Sequence, residues 1–510
     1  MLSYVLFSPF LGILLLALAP KGKESILKAI GVGSSLVTFI LSIALYYGFD
    51  SSSAEMQFVE QIPWIHSLDM NYVVGIDGLS LLLVLLTTFL MPLALIASWN
   101  SITERLKSFI GFMLLLEVGM IGVFIAVDLF LFYVFWEAML IPMYFIIGIW
   151  GGKDRIYAAV KFFLYTMAGS LLMLVAIISL AYYASTIPGG FFTTDLRKLS
   201  LIAPEIPSTL QMWMFAAFAL SFAIKVPLFP FHTWLPDAHV QAPTAGSVIL
   251  AGVLLKMGTY GLLRFCLPLF PYASFQFTPL MCTLAVIGII YGALVAMVQT
   301  DIKKLVAYSS VSHLGFVVLG IFSMTEEGIQ GGILQMINHG LSTGALFLIV
   351  GMIYDRRHTR EISEFGGLAK QMPVFAAFFM ITMLSSIGLP GLNGFIGEFL
   401  ILFGSFKSTF LATPVYTIVA ATGVIFAAVY MLWMFQRVMF GTLKNPANQG
   451  LADLSAREIG LLIPIILFIV WIGVYPSTFL RPSAASTTKL VRMLEQTRNG
   501  DIAPKPAETK

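Results

Sequence analysis

Charged residues are scarce in this chain. Asp, Glu, Lys and Arg make up 11% of its 510 residues, whereas a typical soluble domain has about 25%. Hydrophobic residues make up 58%, and a helix needs about 20 mostly apolar residues to cross the hydrocarbon core of a membrane. The composition excludes an ordinary soluble globular protein and predicts a polytopic helical membrane protein.

Sequence features that bind cofactors are also missing. The two cysteines, Cys266 and Cys282, have no Cys-x-x-Cys partner and no histidine at ligand spacing, so we expect buried apolar thiols rather than a metal or iron–sulfur site. The sequence has no P-loop and no Gly-rich strand-to-helix fingerprint, and its net charge of +3 comes without a basic run. These absences argue against nucleotide, flavin, metal or nucleic-acid binding by this chain.

Long apolar runs, bounded by polar residues, proline or glycine, predict an all-α membrane protein with about fourteen spans. The predicted spans lie at residues 4–20, 27–48, 77–99, 109–127, 129–150, 158–183, 211–240, 244–266, 277–299, 302–322, 330–354, 373–409, 413–441 and 458–475. We therefore expect the chain to cross the membrane an even number of times, with its two ends on the same side.

Basic loop residues predict the orientation, because cytoplasmic loops retain Lys and Arg. One set of alternating loops holds 17 of them: Lys21, Lys23, Lys28, Arg105, Lys107, Lys153, Arg155, Lys161, Lys303, Lys304, Arg356, Arg357, Arg360, Lys370, Arg437, Lys444 and Arg457. The other set holds 4 before the C-terminal tail: Arg197, Lys198, Arg264 and Lys407. This bias predicts both termini on the outer side. The tail after Pro476 runs against the rule, since it carries Arg481, Lys489, Arg492, Arg498, Lys505 and Lys510.

Two of the predicted spans contain helix-breaking residues. The seventh contains Pro227 and Pro230, and the twelfth contains Pro390 between Gly388 and Gly391. Proline removes a backbone donor, so the freed backbone groups need partners at membrane depth. Paired interrupted helices in corresponding halves of a chain are a sequence indication of a transport site.

The spacing of the spans predicts an internal repeat. Glu398 follows Lys225 by 173 residues, and the same offset places spans 4, 5, 6 and 8 on spans 9, 10, 11 and 13. Five spans per unit is an odd number, so the second repeat is expected to be inverted. The predicted divisions are helices 1–3 with an outer loop in 1–108, the first repeat in 109–266, the second in 267–441, and helix 14 with the tail in 442–510.

Several ionisable residues fall at membrane depth, where a charge costs about 2.5–3.5 kcal/mol or more. Such residues are expected to face a hydrated interior and to have a function. The candidates are Glu137, Lys225, Lys256, His313, His339 and Glu398, with Glu117 as a further possibility.

Glu137 and Lys225 are the predicted coupling pair. A Glu–Lys contact that forms and breaks would switch the lysine between holding and releasing a proton. The alternative is a static buried ion pair that stabilises helix packing. Glu117 is either a neighbour that influences Glu137 or a polar contact between helices.

The remaining candidates are consistent with a relay. Lys256 lies too deep to reach the interface. Both His313 and His339 have polar neighbours, which suit a hydrated relay, and histidine as a residue type can exchange protons near physiological pH. The alternative for each histidine is an ordinary interhelical hydrogen bond. Glu398 follows the interruption in the twelfth span and is a candidate terminal carboxylate. His232 and His239 lack a metal-binding motif, so we expect a structural or gating role for them.

Two long segments carry a specific resemblance. The segments are His232-Thr-Trp-Leu-Pro-Asp-Ala-His-Val-Gln-Ala-Pro-Thr-Ala-Gly-Ser247, followed by Leu254-Leu-Lys256-Met-Gly, and Gly388-Leu-Pro-Gly-Leu-Asn-Gly-Phe-Ile-Gly-Glu398. They resemble the signatures of the antiporter-like subunits of respiratory complex I, the proton-translocating NADH–quinone oxidoreductase. The similarity covers essentially the whole chain and is strongest to the M-type subunits, called chain 4 in mitochondria. Glutamate at 398 favours that type, since the other antiporter-like subunits typically have lysine there.

The resemblance implies fourteen helices with inverted repeats, two proton half-channels and a central polar axis. It implies that Glu137 and Lys225 form the coupling pair, that Lys256 and His313 form the central relay connected by His339, and that Glu398 is the exit carboxylate. FMN, iron–sulfur clusters and quinone are then expected on partner subunits, with no cofactor on this chain. The implied location is the bacterial cytoplasmic membrane, beside neighbouring antiporter-like subunits.

Two other functions remain open at this point. A subunit of a multi-subunit Na⁺/H⁺ antiporter or of a membrane-bound hydrogenase would share the fold and most of the charged residues. A structural spacer with vestigial charges would tolerate neutralisation of Glu137 or Lys225.

Overall fold

The computed structural model describes residues 1–20, 22–65 and 69–500. Lys21 and the tail residues Lys505 and Lys510 lie outside the described residues. Within the described ranges, ten helical segments are long and apolar enough to cross a membrane, and three shorter helices are apolar. The structure is therefore that of a helical membrane protein.

The N-terminal part contains helices and one small sheet. Its helices are α1 (Leu2–Leu18), α2 (Glu24–Gly48), α3 (Leu81–Ala97), α4 (Leu106–Ile125), α5 (Leu129–Ala138), α6 (Leu140–Trp150) and α7 (Arg155–Thr186). Between α2 and α3, strands β1 (Gln57–Ile65) and β2 (Met70–Ile76) pair antiparallel. The all-α prediction is wrong for this loop. The sequence does not indicate β2 by alternation, because most of its residues are buried against the helices and Val127 donates to the Val73 carbonyl at 2.9 Å.

The middle part contains the first interrupted helix. Its elements are α8 (Leu196–Ile202), α9 (Ser208–Lys225), α10 (Trp234–Gln241), α11 (Thr244–Ile249), α12 (Leu255–Gly261), α13 (Leu267–Leu269), α14 (Pro271–Met297), α15 (Ile302–Phe322) and α16 (Glu326–Arg357). The chain leaves the helical conformation between Lys225 and Trp234, as the two prolines predict. Two π-helical segments, Leu250–Leu254 and Leu262–Cys266, lie on either side of α12.

The C-terminal part contains the second interrupted helix. Its elements are α17 (Leu368–Gln371), α18 (Pro373–Ser386), α19 (Asn393–Lys407), α20 (Val415–Met439), α21 (Ala456–Val474) and α22 (Ser477–Asn499). The interruption between α18 and α19 contains Gly388, Pro390 and Gly391. The last helix, α22, was predicted only as a tail. It packs closely on the start of α3, since a Cβ at Gly78 would meet the Pro482 carbonyl oxygen at 2.2 Å.

Burial separates inner from outer helices. Over their most apolar stretches, Thr244–Leu269 and α16 are completely buried and α15 is 94% buried. The corresponding stretches of the outer helices α2 and α21 are only 28% and 33% buried. The inner helices carry Lys256, His339 and His313. Their polar side chains are therefore shielded from lipid by the chain's own outer helices.

Arg264 requires a correction. Arg264 stands among the loop residues that predict the orientation, but it is only 7% exposed and lies within the second π-helical segment. Its guanidinium forms a buried ion pair with Asp77 and donates to the Tyr260 hydroxyl at 3.0 Å. A buried arginine that is paired with a carboxylate belongs to the packed interior and is not a loop charge. Arg264 therefore does not contribute to the prediction of the orientation.

Candidate functional site

Lys225 is the last residue of α9 and is fully buried. Its ammonium donates to the Met139 sulfur at 3.5 Å. The same group lies over the rings of Phe162 and Trp136, 5.2 and 5.6 Å from their centroids. A cation is favoured at a helix C-terminus and over aromatic faces. The end of the interrupted helix and its aromatic surroundings thus favour a positive charge on this buried side chain.

Glu137 lies two residues before the junction of α5 and α6 at Met139 and is half-buried. Tyr133 and Ser170 lie beside its carboxylate. Among the described residues no salt bridge joins Glu137 to Lys225, although the two charges interact electrostatically. In this structure the Met139 thioether takes the contact that a paired carboxylate would make. A Glu–Lys contact that forms and breaks remains a prediction.

Lys256 and His339 are in direct contact. The Lys256 ammonium lies 2.7 Å from Nδ1 of His339 and also donates to the Ala251 carbonyl. Ala251 lies in the π-helical segment Leu250–Leu254, where the wider turn replaces the regular α-helical pattern of backbone hydrogen bonds. Because a lysine ammonium only donates, Nδ1 accepts and the proton of a neutral His339 ring is on Nε2. Nε2 is buried without a hydrogen-bond partner.

His313 and Glu398 form the next contact. His313 Nδ1 lies 3.3 Å from Glu398 Oε1, and Gln335 Nε2 donates to the same oxygen at 3.3 Å. His313 Nε2 lies 3.4 Å from the Ser386 hydroxyl. The rings of His313 and His339 have centroids 5.8 Å apart. A row of titratable groups therefore runs from Lys256 through His339 and His313 to Glu398.

A small polar cavity lies along this row. Its volume is about 10 Å³, roughly the room of one water molecule. Its lining residues include His313, Gln335, Asn338, His339, Ser342 and Ser386. A water molecule here would have several hydrogen-bonding partners and would connect the two imidazole rings.

The second interruption is surrounded by hydrogen bonds. The Ser385 hydroxyl donates to Asn393 Oδ1 at 2.5 Å and lies 2.6 Å from the Ser342 hydroxyl. Asn338 Nδ2 donates to the Asn393 carbonyl at 2.8 Å. These side chains supply the polar partners that an interrupted helix needs in a membrane. They also hold α19, and with it Glu398, against α16.

The six predicted residues fall into two groups. Lys225 contacts Met139, which lies two residues after Glu137, and the other four form the row described above. The groups lie on touching elements, because a Cβ at Gly258 in α12 would meet the Phe222 carbonyl of α9 at 2.7 Å. Within the described part of the chain no hydrogen bond or salt bridge joins Lys225 to Lys256. The structure thus brings together four of the six residues in one line and places the remaining pair beside it.

Other ionisable groups are buried nearby. Both oxygens of Glu117 and both ring nitrogens of His239 are buried without a hydrogen-bond partner, while the His232 ring stacks on Phe229 with centroids 5.7 Å apart. Sequence reasoning missed Met139 and assigned Lys303 to a loop, although its side chain is buried. The described residues contain no group of three or more His, Cys, Asp or Glu side chains placed to hold a metal.

Comparisons with known proteins identify the family of this chain. Residues 126–420 match the family model "NADH:quinone oxidoreductase/Mrp antiporter, TM", and residues 1–123 match "NADH-ubiquinone oxidoreductase chain 4, amino terminus". The chain is 46% identical to NADH-quinone oxidoreductase subunit M of Rhodobacter capsulatus, over 94% of this chain and 93% of the relative. It is also 46% identical to NADH-ubiquinone oxidoreductase chain 4 of Arabidopsis thaliana, over 96% and 97%.

A solved structure is similar over nearly the full length. A chain of respiratory complex I from Thermus thermophilus with bound NADH superposes with a TM-score of 0.85 at 35% identity, covering 96% of this chain and 100% of that chain. Family models, relatives and fold thus all agree. The chain belongs to the family of NADH–quinone oxidoreductase subunit M, or chain 4, the antiporter-like membrane subunits of respiratory complex I.

Proposed function

We propose that this chain moves protons across the membrane and that the two residue groups act as one relay. The row from Lys256 to Glu398 carries this proposal, because it joins donors and acceptors that can exchange protons within a buried polar line. The proposed relay residues are Glu137, Lys225, Lys256, His339, His313 and Glu398. Quinone reduction by partner subunits drives the relay, and this chain itself carries out no redox chemistry.

Each contact has a role in proton transfer. The Lys256 ammonium gives a proton to Nδ1 of His339, and His339 passes a proton through the small cavity to His313. His313 then protonates the Glu398 carboxylate, which releases the proton toward the outer side. Lys225 controls the step before Lys256, because its ammonium gains or loses stability as the Glu137 carboxylate approaches or withdraws.

We also propose the fourteen-span topology with both termini on the outer side and two inverted five-helix repeats, 109–266 and 267–441. The two interruptions support the repeat, since each carries one relay residue next to it: Lys225 before the first and Glu398 after the second. The basic loops support the orientation without Arg264. FMN, iron–sulfur clusters and quinone belong to partner subunits, and the other antiporter-like subunits of the complex are the proposed neighbours in the bacterial inner membrane.

NADH-driven proton uptake by membrane vesicles carrying Glu137→Gln tests this function. We expect both uptake and NADH–quinone turnover to fall by about 10²-fold while the complex stays assembled, because the amide cannot change charge. Glu326→Gln is the matched control, since Glu326 is exposed in the first turn of α16. Normal uptake in Glu137→Gln would favour the spacer alternative and count against the relay.

A further inference from the structure

An apolar cavity lies between five helices at the end of the bundle where α22 begins. Its volume is about 210 Å³, and its lining side chains come from α2, α3, α16, α21 and α22. Thirteen of its fourteen lining residues are hydrophobic, and the other is Thr478. We call this cavity the apolar groove. An apolar cavity of about 150 Å³ stays dry and binds benzene, so the apolar groove can hold a longer hydrocarbon segment.

The apolar groove reaches from the end of the bundle to the middle of the membrane-spanning region. It follows α3 from Leu82, the second residue of that helix, to Phe89, which is a rise of about 10 Å. Its lining also includes Ile337 and Leu341, which lie near the middle of the 32-residue helix α16. One leaflet contributes about 15 Å of hydrocarbon. The groove therefore has about the depth of one leaflet, whereas a neighbouring transmembrane helix would need a groove through both.

Aromatic and polar side chains surround the end of the apolar groove near α22. Tyr47, at the end of α2, is 83% exposed, and Trp471, in the last turn of α21, is 48% exposed. Both line the groove, together with Thr478 from the first turn of α22. Tyr and Trp are enriched where the hydrocarbon of a membrane meets the lipid headgroups. We therefore place this end of the groove at the level of the headgroups.

An arginine stands next to this end of the groove. Arg481 lies one helical turn after Thr478 on α22 and is exposed. In the described part of the chain no salt bridge neutralises its guanidinium. It is also one of the basic residues after Pro476 that run against the rule for loop charges. Arginine binds phosphate through two parallel N–H donors, whereas the headgroup of a quinone carries no charge, so Arg481 favours a phospholipid as the occupant.

We propose that the apolar groove binds one acyl chain of a phospholipid whose phosphate lies beside Arg481 and Thr478. The lipid belongs to the leaflet on the α22 side, which the proposed orientation makes the outer leaflet. Its chain passes Trp471 and ends against Ile337 and Leu341. The chain supplies the dispersion contacts that the walls of an empty groove lack. This binding does not depend on whether the chain moves protons.

The same stretch of α16 separates the apolar groove from the buried row of titratable groups. Ile337 and Leu341 line the groove, whereas Asn338, His339 and Ser342 line the small polar cavity. The two cavities thus lie on different faces of one helix. The bound acyl chain packs against the helix that positions His339.

Photoreactive phospholipids test this site in the assembled complex. One probe carries a diazirine at the end of an acyl chain, and a second carries it beside the glycerol backbone. Mass spectrometry identifies the labelled peptides. We expect the first probe to label the α16 peptide that contains Ile337 and Leu341, and the second to label the start of α22. The proposal is overturned if the first probe does not label α16, or if a quinone with a diazirine on its isoprenoid tail labels it more strongly.

Leu85→Trp fills the groove with an indole ring. Leu85 is half-buried and lines the groove. We expect labelling of α16 by the first probe to fall by about tenfold, because the indole and the acyl chain cannot occupy the same space. Leu467→Trp is the matched control, since Leu467 is exposed on α21 outside the groove. We expect its labelling to stay within about twofold of the unmodified protein, and equal yields from the two variants would overturn the proposal.

Arg481→Gln tests the headgroup contact without changing the apolar walls. We expect labelling of α16 by the phospholipid probe to fall by about threefold, which is the size of an exposed ionic contact. Lys489→Gln is the control, because it removes the same charge from α22 about 16 Å along the helix from Thr478 and should leave labelling unchanged. Equal losses in both variants, or no loss in either, would overturn the assignment of a phospholipid to the groove.

Discussion

The two interrupted helices hold opposite charges in opposite kinds of surroundings. Lys225, at the first interruption, contacts a thioether and two aromatic rings and forms no salt bridge in the described structure. Glu398, after the second interruption, lies against an imidazole and an amide. The Lys225 ammonium therefore has no carboxylate partner in the described structure, whereas the Glu398 carboxylate already has polar partners.

Because of this difference, we expect the two interrupted helices to have different functions. A cation held only by weak partners responds strongly when a carboxylate approaches or withdraws, which is useful for coupling. A carboxylate inside a hydrogen-bonded network keeps a fixed position, which is useful for receiving protons from a neighbouring histidine. We therefore expect substitutions at the first break to affect function more than substitutions at the second.

Lys225→Arg should have the largest effect. Arginine keeps the positive charge but does not release its proton under physiological conditions, so we expect proton uptake and turnover to fall by about 10²-fold. Lys161→Arg is the matched control, because Lys161 is partly exposed and paired with Asp237 at 2.7 Å. Full activity in Lys225→Arg would remove the reason for distinguishing the two breaks.

Glu398→Gln should have an intermediate effect. The amide preserves the shape and can still contact Gln335 and His313, but it cannot accept a proton from the imidazole. We expect uptake in vesicles to fall by about tenfold, with the complex assembled. A loss as large as that of Lys225→Arg would show that both breaks limit transport equally and would contradict the division of tasks.

Gly388→Ala should have the smallest effect of the three. Gly388 has φ +74°, and a Cβ there would lie 2.7 Å from Glu398 Oε2. Gly391→Ala is the control, because Gly391 also has a positive φ of +92° but a Cβ there meets nothing within 4 Å. Both alanines cost about 1 kcal/mol or more in backbone strain.

Comparing the two glycine variants distinguishes the effect of backbone strain from the effect of displacing the Glu398 carboxylate. Only Gly388→Ala pushes on Glu398, so we expect its uptake to be about twofold lower than that of Gly391→Ala. The initial rate of uptake in matched vesicles measures this ratio. Equal rates would mean that the position of Glu398 does not limit transport.

Much of this architecture follows from the sequence alone. Apolar runs of sufficient length predict the membrane helices, and the prolines and glycines predict both interruptions, because the chain cannot complete its backbone hydrogen bonds there. The cost of burying charge identifies the six candidate relay residues without any structure. These inferences depend on local composition, which a sequence displays directly.

Only the tertiary structure decided which of these groups meet. It places Met139 against Lys225 where the sequence suggested Glu137, joins Lys256 to His339 across two helices, and pairs the apparent loop residue Arg264 with Asp77. It also shows β2 and α22, whose conformations depend on packing against distant helices. Such contacts connect positions far apart in the chain, so residue type and spacing reveal the cost of a buried charge but not the partner that compensates it.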